Sequence, residues 1–115
     1  VALDNTIPEK VTHIDNFLLP DNEIEYEVFD AVAPKVLPLL SATDRQGVVE
    51  EYEDGGYPAG ALAWALNAIQ SPVPRSVVGI VRNYVPKLRD FNSDWFGVDR
   101  ALRSAIDRCG IDESK

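Results

Sequence analysis

The sequence predicts an all-α fold, an irregular bundle of four to five short helices, and three observations carry that expectation. Apolar residues recur at three- and four-residue spacing through the second half of the chain. Glycine and proline fall at intervals suited to helix ends: Gly55-Gly56, Pro58, Pro72, Pro74 and Gly110. The third is composition: 115 residues with 45% apolar and 26% charged side chains suit one globular core and no second one. Residues 1–115 are therefore expected to form a single domain.

Residues 1–20 read as an irregular lead closed by Pro20, Asp21 and Asn22. The segment that follows fits two patterns. Glu23, Ile24, Glu25, Tyr26, Glu27 and Val28 alternate as a strand would, whereas Ile24, Val28, Ala31 and Val32 share one helical stripe. Helix is favoured because no other run offers a strand partner, and a short strand near residues 23–29 is the alternative. Pro34 and Pro38 are expected to break this helix and leave residues 35–40 as a separate turn that carries Val36, Leu37, Leu39 and Leu40 into the core.

Thr43 with Gln46 resembles a capping box opening a helix over residues 44–54, closed by Gly55 and Gly56. Pro58 suits the first turn of the next helix, whose buried stripe is Leu62, Ala65, Leu66 and Ile69. Another begins near Pro74 with Val77, Val81, Tyr84 and Leu88 on its apolar face and Pro86 distorting its last turn. The last spans residues 93–108. Trp95, Val98, Leu102, Ala105, Ile106 and Cys109 line its inner side, and Asp99, Arg103 and Asp107 form a charged row.

Charge is divided unevenly. Residues 1–60 hold thirteen Asp/Glu against three Lys/Arg, a net −10, and residues 61–115 hold six against eight, a net +2. An overall −8 repels phosphate backbones and anionic lipid, so neither nucleic acid nor membrane is an expected partner; basic proteins are attracted instead. One cysteine gives no internal disulfide, and no apolar run approaches the roughly 18 residues of a membrane span. A cytoplasmic protein is expected.

No motif for catalysis stands out, and no enzyme activity is predicted. His13 is the only histidine, so a zinc site at motif spacing has no second imidazole to draw on. Cys109 falls on an apolar stripe and reads as a small core residue. The glycines lack the Lys-Ser/Thr ending of a phosphate loop. Glu50, Glu51, Tyr52, Glu53 and Asp54 lack the alternating ligands of a calcium loop, and successive helical residues point about 100° apart, so they cannot converge on one ion. No metal and no cofactor are expected.

Aromatic rings among carboxylates are the distinctive feature of the acidic half. Tyr26 stands between Glu25 and Glu27, Tyr52 between Glu51 and Glu53, and Tyr57 follows the paired glycines. Such rings supply desolvated contact and the charges supply steering, the combination a basic protein partner needs. The predicted partner-binding surface is Glu50, Glu51, Tyr52, Glu53, Asp54 and Tyr57, with Glu23, Glu25, Tyr26 and Glu27 as a second patch.

Residues 47–70, GVVEEYEDGGYPAGALAWALNAIQ, resemble the helix, glycine turn and Ala/Leu-rich helix of small Maf-type immunity proteins. That resemblance implies a bacterial protein that binds and silences a cognate toxin domain of a polymorphic or contact-dependent toxin system. The alternatives are a structural or regulatory interaction domain of a larger complex, or a small enzyme without a recognisable motif.

Overall fold

The computed structural model describes residues 21–115, so the lead and His13 lie outside the described residues. The fold is all-α. Helix α1 spans Asp21–Val36 and α2 Ala42–Glu53, with a 3-10 turn at Leu37–Leu39 between them; α3 spans Pro58–Ala68, α4 Arg75–Phe91 and α5 Trp95–Cys109. Two dipeptide strands complete it, β1 at Val73–Pro74 and β2 at Ile111–Asp112, paired in parallel with Val73 opposite Ile111.

The ambiguous segment is helical. Ile24, Val28, Val32 and Val36 follow one another every four residues and are all buried, with Phe29 beside them. Continued over four turns, that stripe outweighs the short alternation of Glu23 to Val28. Pro34 does not break the helix as expected: it lies within α1, exposed, in the last turn. Its missing N–H leaves only the Asp30 carbonyl without a helical donor. The break comes at Leu37, and Arg45 secures it by donating from Nε to the Leu37 carbonyl (3.0 Å) and from a terminal nitrogen to the Leu40 carbonyl (2.9 Å).

Helix α2 begins two residues earlier than the Thr43–Gln46 capping box predicts. Ser41 is the cap: its Oγ accepts from the Asp44 backbone N–H at 3.1 Å and donates to the Asp44 carboxylate at 3.1 Å. Gln46 instead donates to Glu50. The far end turns at Gly56, whose φ of +60° suits a residue without a Cβ, and the Gly56 N–H reaches the Tyr52 carbonyl.

Helix α3 is the axis of the bundle and packs against α1, α2 and α5. Its alanines at 59, 61 and 65 bring those neighbours close, and Leu62, Leu66 and Ile69 fill the space between them. Arg108 of α5 donates to the carbonyls of Leu66, Asn67 and Ile69, satisfying acceptors that the end of α3 leaves open. Val77, Val81, Val85 and Leu88 of α4 and Trp95, Val98, Leu102 and Ala105 of α5 close the core. Cys109 is half-buried against it, as its place on the α5 stripe predicts. No helix among the described residues is long and apolar enough to cross a membrane.

Candidate protein-binding face

The acidic half meets itself where the end of α2 crosses α1. Tyr52 leaves α2 toward α1, stacks on Phe29 with ring centroids 3.9 Å apart, and lies 5.5 Å from the Tyr26 ring. Its hydroxyl donates to Asp30 at 2.8 Å. Burial, then the bond to Asp30 and that residue's charge, hold the Tyr52 phenol well above its ordinary range. Tyr26 donates to the Gly56 carbonyl at 3.2 Å, which ties the glycine turn to α1.

Tyr57 continues the surface on the other side of the turn. Its ring lies 2.5 Å from where a Cβ on Gly60 would stand, so glycine is required there for the ring to lie flat on α3. Its hydroxyl faces the Asp94 carboxylate, and interaction with Asp94, then partial burial and the charges of Asp94, Glu51 and Glu25, push the Tyr57 phenol up to about 12. For both tyrosines the fold favours the protonated form. The resulting stability is present below pH of about 10, the unfolded phenol value, and is lost as pH rises toward the folded value. Alkaline titration followed by tyrosinate absorbance is expected to show one step near 12 that Tyr57→Phe removes; ionisation of all four tyrosines near 10 would contradict these contacts.

The predicted surface residues divide into three groups. Glu23 and Tyr26 lie exposed on one ridge of α1, with Glu27 half-buried and Asp30 one turn beyond Tyr26. Glu51 lies half-buried toward Gly60 and Tyr57, and Glu53 and Asp54 are exposed at the end of α2. Glu50 stands apart: two residues before Tyr52 on a helix, it points about 160° away and bonds to Gln46.

Glu25 does not belong to this surface, contrary to the sequence expectation. It is 6% exposed, and its Oε2 accepts from Trp95 Nε1 at 2.6 Å and from Asn92 Nδ2 at 2.9 Å. The carboxylate is a structural acceptor that binds α1 to the α4–α5 corner. Asp30, Asp94, Phe29 and Asn92 are the members that sequence reasoning missed, because each acts through a partner at least 22 residues distant. Among the described residues no three His, Cys, Asp or Glu side chains gather as a metal site. The chain matches no family model, no curated protein and no solved structure.

Proposed function

We propose that the protein is a binding module that captures and neutralises a basic protein, as a small bacterial immunity protein acts on a cognate toxin domain. The observation that carries this reading is the pair Tyr26 and Tyr57, 36% and 37% exposed, Tyr26 fixed by its bond to the Gly56 carbonyl and Tyr57 by its packing on Gly60, both set among Glu23, Asp30, Glu51 and Asp94. Rings already held in place lose little side-chain freedom on docking, so more of their contact appears as affinity. The surrounding carboxylates steer a cationic surface toward them and reject acidic competitors. A basic toxin whose cleft attracts phosphate would be blocked by an acidic plug of this kind in the cytoplasm, with no metal, cofactor or catalytic step.

Co-expression with a toxin domain encoded beside the gene tests the reading. Wild-type protein is expected to restore growth. Reversal of the exposed Glu23, Glu53 and Asp54 to Lys is expected to abolish the rescue while thermal stability stays within about 1 kcal/mol per charge, because exposed charges contribute little to folding. Tyr57→Ala is expected to weaken the complex by about 2 kcal/mol or more, the signature of an aromatic anchor. Full rescue by both variants would defeat the assignment.

A further inference from the structure

Helices α4 and α5 carry a second surface of reversed charge. Residues 21–54 hold ten Asp/Glu against two Lys/Arg, whereas residues 75–109, covering α4 and α5, hold four against seven. Between these two helices runs a groove of about 470 Å³ lined by Arg82, Val85, Pro86, Arg89, Asp99 and Arg103. Asp99 pairs with Arg103 at 2.9 Å, so a single carboxylate faces three guanidinium groups. Arg89 also lies 5.4 Å over the ring of Phe96, which joins the groove to exposed aromatic surface. Phe96 is 44% exposed, whereas Phe91, 50% exposed, follows Arg89 by two residues on α4 and points about 160° away from the groove.

We propose that this α4–α5 face is a docking surface for an acidic protein segment that carries apolar side chains. Guanidinium forks bind carboxylates in pairs, and Arg beside an exposed ring is the composition of an interface core. Phe96 supplies contact area that gains only when a partner covers it. A nucleic acid would offer the same sign of charge, but fields beyond about 8 Å are screened at physiological salt. A short segment therefore feels the local arginine excess, while a long polyanion extends into the field of the acidic half. None of the residues that line the groove belongs to the Tyr26–Tyr57 face. An acidic probe is repelled there, so its binding reports on α4 and α5 alone.

The test is fluorescence anisotropy of a labelled peptide alternating Glu and Leu, titrated with the full chain, beside a labelled oligothymidine. Saturable peptide binding is expected, falling with added salt and weakened about tenfold or more in the Arg82→Glu/Arg89→Glu variant, which changes the charge of the groove by −4. Phe96→Ser is expected to weaken it several-fold with the helical spectrum unchanged. Absence of saturable binding, equal affinity in the arginine variant, or tighter binding of oligothymidine would each overturn the proposal. Sedimentation of the chain alone covers the remaining occupant: self-association abolished by the arginine variant would make it a second copy and overturn it as well.

Discussion

Truncating Glu25 to Ala is expected to destabilise the fold by about 3 kcal/mol, a large share of the roughly 5–15 kcal/mol that holds a domain together. The buried Trp95 indole N–H and the Asn92 amide would both lose the oxygen they share, at 2.6 and 2.9 Å. An unmade hydrogen bond at a buried donor costs more than the bond contributes when made, and the lost methylenes leave a void beside Trp95. Glu25→Gln keeps an acceptor oxygen and is expected to cost about 1 kcal/mol. Urea denaturation separates the cases: an Ala variant as stable as the Gln variant would show that the bonds to Trp95 and Asn92 contribute nothing. The consequence reaches the binding face, because Asp94, which the Tyr57 hydroxyl faces, sits between these two donors in the chain.

Leu66→Ala is expected to be of similar size, about 3 kcal/mol, from packing alone. Leu66 is fully buried on α3, the helix that α1, α2 and α5 all pack against. Alanine is the better helix former, so propensity offsets part of the loss and cannot cause it. Relaxation into the void is limited at this position, since Arg108 holds the carbonyls of Leu66, Asn67 and Ile69 from α5. A loss below about 1 kcal/mol in the same denaturation experiment would mean that the backbone collapses despite that anchor.

The helices from Ser41 onward were legible because their signals are local. Pro58 and Gly110 mark ends that depend on nothing outside their own turn, and the Leu62, Ala65, Leu66, Ile69 stripe repeats often enough to fix its period. At the start of α2 the Thr43–Gln46 spacing points to the wrong cap, and the Ser41–Asp44 hydrogen bonds place it two residues earlier. At residues 23–29 the strand and helix patterns coincide, and extension of the stripe to Val36 decides between them.

The candidate face was legible in composition and not in detail. A carboxylate between aromatic and apolar neighbours looks the same in sequence whether it faces solvent, as Glu23 does, or an indole N–H, as Glu25 does. That difference is set by Trp95, 70 residues away, and no local rule reads it. Tyr52 likewise was expected as a contact residue, and its stacking on Phe29 and bond to Asp30 make it the support on which Tyr26 and the glycine turn rest.

Stopped-flow association of the chain with a purified basic toxin domain, wild type against the Glu23/Glu53/Asp54→Lys variant across a salt series, tests the central claim most directly. Wild-type association is expected to slow steeply with ionic strength and the variant to be slow throughout, by about tenfold or more at low salt, because the removed charges provide the steering. Equal rates and equal salt slopes for the two proteins would contradict an acidic binding face on α1 and α2.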